Sequence, residues 1–118
     1  MNVTTTHVGN VAVLRVQEAR LTYPILADFA TVTADLIAAG EKYVVIDLSP
    51  VSYVDSATIG CLMDLYRQAG ANGGSLKLSG VQKRVETMLT MTGAHNFLEV
   101  HPDEAAALAS FGTDAHGG

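Results

Sequence analysis

The side chains best placed to do chemistry gather in one stretch, Val45-Ile-Asp-Leu-Ser-Pro-Val-Ser-Tyr-Val-Asp-Ser-Ala-Thr-Ile-Gly60. An apolar run reaches Asp47 and Leu48, a short loop crosses through Ser49-Pro50, and a helical pattern opens at Asp55-Ser56. Asp and Ser in front of such a pattern are capping residues: a side-chain oxygen accepts a first-turn N–H and stabilises the helix by about 1 kcal/mol. Ser56 also admits a second role. The dipole and free amides of a helix start tolerate added negative charge, so a hydroxyl there is suited to carry a phosphoryl group. Thr58, two residues into the same first turn, is the second choice. Asp47, Asp55 and Ser56 have no histidine or lysine beside them in sequence to serve as a base, so no catalytic role is expected.

Other candidate chemistries are weaker. The loop Gly70-Ala-Asn-Gly-Gly74 lacks the Lys-Ser/Thr of a phosphate-binding loop and precedes a strand where that motif follows one, so it reads as a plain turn. His7, His95, His101 and His116 lie in separate segments without ligand spacing, and neither a metal nor another cofactor is expected. Cys61 is the only cysteine, which excludes an internal disulfide; it falls on the apolar face of the helix after Ser56, where it reads as a small buried hydrophobe. Lys83 and Arg84 read as a solvated helix face.

The elements that must position the Asp55-Ser56 stretch follow from periodicity. Val3 to Thr6 and Val11 to Val16, parted by Gly9-Asn10, predict an opening hairpin. Leu26, Phe29, Val32, Leu36 and Ile37 recur at helical spacing, with Thr22 or Tyr23 as cap, Pro24 in the first turn and Gly40 as the stop. Tyr43 to Leu48 predicts a central strand covered on both faces. A second helix runs from Ser56 through Ile59, Leu62, Met63 and Tyr66 to a stop at Gly70. Ser75 to Ser79 predicts a strand, Val81, Val85, Met88 and Leu89 a helix ending at Gly93, Phe97 to Val100 a last strand, and Pro102-Asp103-Glu104 the start of a helix ending near Phe111. Strands alternating with helices imply an α/β fold: a mostly parallel central sheet with an antiparallel N-terminal hairpin strand, covered by about four helices.

The chain of 118 residues is 48% apolar and 16% charged, which suits one domain, residues 1–111, followed by a disordered tail at 112–118. A formal net charge of −5 with scattered basic residues argues against nucleic-acid binding. The start MNVTTTHVGN carries no leader pattern, and no apolar run approaches the roughly 18–20 residues of a membrane span, so a soluble, cytoplasmic protein is expected.

The segment Asp47-Leu-Ser-x-Val, an aromatic, then Val54-Asp-Ser-x-x-Ile-Gly60 resembles the signature of the STAS domain family, in particular its anti-sigma factor antagonists. Gly73-Gly-x-Leu-x-Leu78, the Val81 to Leu89 helix, Met91-Thr-Gly93, Phe97 and Glu104-Ala105 are similar to the family in order and spacing. The resemblance implies a regulator that binds an anti-sigma factor with serine kinase activity while unphosphorylated and is released by phosphorylation at Ser56, with a phosphatase resetting it. Asp55, Ser56, Ala57, Thr58, Leu21 and Thr22 would form the partner-binding surface, and a weak homodimer is compatible with it. The family usually has glycine where this chain has Thr58, often Ser or Thr at Ala57, and an acidic loop where this chain has Glu18-Ala-Arg-Leu21. Two alternatives stand beside the switch: a STAS scaffold or accessory subunit in a stress-signalling assembly or an ABC transporter, and a small-molecule-binding α/β module.

Overall fold

The computed structural model describes residues 2–111; the expected tail at 112–118, with His116, lies outside them. Strands β1 (Val3–Val8) and β2 (Val11–Val16) form the antiparallel hairpin, closed by the pair Val8↔Val11. Then follow β3 (Arg20–Leu21), α1 (Tyr23–Ala38), β4 (Tyr43–Asp47), β5 (Tyr53–Val54), α2 (Ser56–Ala71), β6 (Ser75–Ser79) and α3 (Lys83–Thr92). A single 3-10 turn (Ala94–Asn96), β7 (Val100–His101) and α4 (Glu104–Ser110) complete the described chain. The main sheet has the order β1-β2-β4-β6-β7, parallel except at β1, so β4 is central, as its continuous apolar run requires.

Alternation along the strands divides the core into two layers of unequal size. Leu14, Val16, Val44, Ile46, Leu76 and Leu78 point to the side covered by α1, α2 and α3, where Phe29, Ile37, Leu62, Leu65, Val85 and Leu89 meet them in the main core. The opposite side buries Val11, Val13 and Val45 beneath Ala107, with Leu108 and Phe111 packed alongside. The short α4 covers this thinner layer, held down by a bidentate pair in which Arg15 Nε and Nη2 donate to Glu104 Oε2 (2.6 Å) and Oε1 (2.8 Å).

Boundaries differ from the sequence reading at several places. Strand β1 runs on past Thr6 to Val8, because its ladder with β2 continues to the turn. Helix α2 continues past Gly70 to Ala71, because Ala69 is buried in the core and packing carries the helix onward. Val81 precedes α3 instead of lying within it. The last strand starts at Val100, not Phe97: the N–H groups of Phe97 and Leu98 both bond back to Ala94 O, Leu98 is buried, and Phe97 stays 55% exposed beside Tyr66. Two strands went unread, β3 and β5, each two residues long and paired only with each other, as did the 3-10 turn.

Candidate functional site

Those two short strands build the site. They run parallel with Arg20 opposite Tyr53 and Leu21 opposite Val54, which fixes the starts of α1 and α2 side by side. Leu21 and Val54 are buried and anchor the pair to the core; Arg20 and Tyr53 face outward, the guanidinium 4.4 Å from the ring centre. At the start of α1, Thr22 stands in the cap position but makes no side-chain cap bond. Asp55 supplies it from the neighbouring segment: Oδ2 accepts the Tyr23 N–H at 2.9 Å, while Oδ1 accepts the Thr58 N–H, also at 2.9 Å, and so caps α2. One carboxylate therefore holds two helix starts, each a donor-rich positive end. Partial burial by itself would raise the Asp55 pKa, but hydrogen bonds from the Tyr23 N–H, the Thr58 hydroxyl and the Thr58 N–H outweigh it and hold the group below the usual carboxylate range.

With the capping done by Asp55, the Ser56 hydroxyl is free. Ser56 and Ala57 are exposed, and no described residue hydrogen-bonds the Ser56 side chain. Thr58 is the opposite case. Its side chain is fully buried, with Oγ1 at 2.7 Å from Leu21 O and 2.8 Å from Asp55 Oδ1, two acceptors for one proton. Thr58 thus ties the first turn of α2 to β3, a contact that glycine at this position would lack. Of the residues expected at a partner surface, Ser56, Ala57 and the half-buried Thr22 reach solvent, Asp55 is partly covered, and Leu21 and Thr58 are interior residues that position the others.

Sequence reasoning missed three outward side chains at this corner: Arg20, Tyr53 and Tyr23, the last 74% exposed. An aromatic directly before Pro24 in the first turn of a helix was the available signal, since such a ring has no core face to join. Tyr23, Pro24, Leu26, Ala27, Ala30 and Cys61 line an open, mainly apolar groove of about 350 Å³ between α1 and α2. Cys61 is half-buried; burial, and then the charge of Asp64, raise its pKa, which keeps the thiol protonated and unreactive.

The second carboxylate of the signature, Asp47, ends β4 on the other side of the sheet. It is 7% exposed, Ser79 Oγ donates to Oδ1 at 2.9 Å and Ser49 Oγ donates to Oδ2 at 2.7 Å. The histidines do not converge: His7 pairs with Glu41, His101 with Glu99, and His95 Nδ1 lies 3.4 Å from Leu89 O. Among the described residues no group of three or more His, Cys, Asp or Glu side chains is placed to hold a metal ion, and no helix is long and apolar enough to cross a membrane.

What the fold and this corner define is an α/β domain, built on one five-stranded main sheet and the short β3-β5 pair, that presents a serine-bearing helix start to solvent. The chain belongs to the STAS domain family, whose model matches residues 2–107. Its fold is that of an anti-sigma factor antagonist from Mycobacterium paratuberculosis, with a TM-score of 0.84 at 18% identity over 92% of each chain. SpoIIAA of Bacillus in its phosphorylated form superposes with a TM-score of 0.72 at 14% identity, covering 93% of this chain and 99% of that one. The same fold occurs inside a larger protein, the murine Slc26a9 anion transporter, with a TM-score of 0.77 at 19% identity over 96% of this chain and 19% of that one.

Proposed function

We propose that this chain is an anti-sigma factor antagonist working in the cytoplasm as a partner switch, a binding protein and not an enzyme. In its unphosphorylated form it docks on an anti-sigma factor that is also a serine kinase; phosphorylation at Ser56 releases it, and a phosphatase restores it. The observation that carries this reading is the division of labour at the corner: Asp55 caps both helices, so the exposed Ser56 hydroxyl has no structural bond to give up when a kinase takes it. Thr58 is the poorer acceptor because its buried Oγ1 is already engaged. Existence of the related SpoIIAA in a phosphorylated form supports the same direction.

The switch needs no change of fold. A phosphoryl group adds about 1.5–2 negative charges to a surface that must dock closely, next to a carboxylate held ionised by its hydrogen bonds. Repulsion and desolvation of that size remove several kcal/mol of binding free energy, a factor of hundreds in affinity. Ser56, Ala57, Thr22, Tyr23 and Arg20 would touch the partner.

Incubation with the cognate kinase and ATP, followed by phosphopeptide mapping, tests the assignment. Phosphate is expected on Ser56 and absent from Ser56→Ala, and Ser56→Asp should bind the partner at least tenfold more weakly while remaining folded. Phosphate on Thr58 would correct the address. No phosphate on either residue, with unchanged binding by Ser56→Asp, would replace the switch with a scaffold or accessory role.

A further inference from the structure

The apolar groove beside Tyr23 is one end of a longer furrow. A second open cavity of about 240 Å³, with Thr31, Ala34, Asp64 and Gln68 in its walls, shares Ala30 and Cys61 with it. Residue numbers rise in the same sense along both walls, so α1 and α2 lie side by side and point the same way, with the Asp55-Ser56 corner at the head of the furrow. From Tyr23 to Ala34 the furrow runs roughly 16 Å, three helical turns. The small side chains of Ala27, Ala30, Ala34 and Cys61 keep its walls low.

Electrostatics give the furrow a direction. Two helices pointing the same way put two positive ends at the corner and two negative ends away from it. Neither helix carries an acidic residue in its first turn or a basic one in its last, and the single Asp55 carboxylate is shared between their starts. Arg20 adds a full positive charge at the head: its guanidinium rests on the Tyr53 ring and meets no carboxylate among the described residues. Toward the other end Asp64 is exposed, with only a 3.3 Å contact to Arg67 of its own helix among the described residues.

We propose that the furrow seats an amphipathic helix of the partner protein, laid antiparallel to α1 and α2, with its C-terminal end and a carboxylate at Arg20 and a cation at Asp64. Antiparallel is the arrangement in which its dipole opposes both of theirs. Its apolar side chains fill the space above Ala27, Ala30 and Cys61, flanked by the exposed Tyr23 ring. Tyrosine and arginine, which stand together at the head, are among the side chains that most often carry binding energy at interfaces. This seat rests on the partner-switch reading and adds what the partner presents. A phosphoryl group at Ser56 then ejects the helix because the new charge competes for Arg20 and repels the carboxylate placed there.

The unphosphorylated chain is mixed with the cognate anti-sigma kinase and ADP, which has no γ-phosphoryl group to transfer. Modification of Cys61 by N-ethylmaleimide, read by mass spectrometry of its peptide, should slow at least tenfold in the complex. Ala30→Leu fills the furrow without touching Ser56; it should weaken binding at least tenfold at an unchanged unfolding midpoint and, with ATP, raise the KM for the chain as kinase substrate while kcat stays nearly constant. Arg20→Glu should weaken binding by a similar factor, and Arg20→Lys much less. Undiminished binding by Ala30→Leu and Arg20→Glu, or a Cys61 that reacts equally fast in the complex, would overturn the proposal even where Ser56→Asp weakens binding and the switch stands. Loss of binding in Ala30→Leu and Arg20→Glu but not in Ser56→Asp would keep the furrow and remove the switch. Protection of Cys61 in the chain alone as its concentration rises would give the furrow to a second copy and overturn the proposal. If Ala30→Leu fails to fold, Arg20→Glu and the thiol rate still decide it.

Discussion

The two aspartates of the signature solve the same local problem in opposite ways. Asp47 is the last residue of β4 and Asp55 directly follows β5, and each is followed closely by a serine. Asp47 is buried and takes its hydrogen bonds from hydroxyls, those of Ser49 and Ser79, so both serines are committed to satisfying a carboxyl group inside the protein. Asp55 is partly exposed and takes its bonds from the main-chain N–H groups of two helices and from the buried Thr58, which leaves Ser56 uncommitted. The difference teaches that the proximity of a serine to an aspartate says little about reactivity. What matters is which donors the carboxylate uses.

The largest expected effect removes the ground on which both corners stand. Ile46 is fully buried in the central strand one residue before Asp47, and Ile46→Ala should cost about 2–5 kcal/mol of stability through lost burial and the cavity left behind. Urea unfolding checks it; a loss under about 1 kcal/mol would mean that β4 does not anchor the two corners.

Next come changes confined to the Asp47 side. Ser79→Ala deletes one of two hydroxyl donors to a buried carboxylate, and leaving that oxygen unsatisfied should cost about 1–3 kcal/mol. Gly80 closes the same pocket from behind, with φ at +69° and an added Cβ landing 2.9 Å from both Asp47 Oδ1 and Ser49 Cβ. Gly80→Ala should therefore destabilise by a comparable amount, about 1–3 kcal/mol, combining strained backbone with displacement of the Ser49 bond. Equilibrium unfolding of both variants at neutral pH measures this, and near-zero losses would show that Asp47 is not held as tightly as its geometry indicates.

On the Asp55 side the effect is smaller and depends on pH. Asp55→Ala removes a cap from each of two helices and should cost about 1–2 kcal/mol at pH 7. Because the folded-state pKa is lowered, the unfolded chain binds the proton more readily; the stabilisation is complete above the unfolded value of about 3.9 and fades as pH falls through the lower folded value. The stability gap between the parent and Asp55→Ala should thus close below about pH 4. Asp55→Asn should fall between them at neutral pH, since an amide offers one oxygen to two waiting N–H groups. A gap that persisted unchanged into acid would remove ionised Asp55 as the source of the capping energy.

How legible all this was in the sequence depended on how far a signal extends along the chain. The β4 run, the α1 helix and the left-handed cap at Gly93 repeat over many residues or use a glycine for a definite reason, and they stand where periodicity places them, except that Val32 of the α1 stripe is exposed and Thr33 beside it is buried, its hydroxyl donating to Phe29 O. Strands β3 and β5 are two residues each, too short to carry a period, yet their pairing is what brings Tyr23 to Asp55. The local cap of α2 was readable from Asp55-Ser56; that the same carboxylate also caps α1, 32 residues away, was not, because it depends on that pairing. Nor could exposure separate Ser56 from Thr58 in advance, as the acceptor that draws Thr58 inward, Leu21 O, lies in β3.

The smallest expected effect is the sharpest test of the comparison, because it applies the same chemical change to two serines. Ser56→Ala deletes a hydroxyl as Ser79→Ala does, but Ser56 is exposed, follows the cap residue and is bonded to no described side chain. Alanine is also the better helix former in a first turn. Its stability should therefore stay within about 0.5 kcal/mol of the parent, against about 1–3 kcal/mol for Ser79→Ala, with both measured in the same denaturant series. A loss near 1 kcal/mol at Ser56 would mean that its hydroxyl shares the capping with Asp55. A kinase would then have to break a structural bond to reach it, phosphorylation would loosen the start of α2, and release of the partner would involve the helix as well as the added charge. A null result leaves charge as the agent, and Ser56→Asp should then weaken partner binding without lowering the unfolding midpoint.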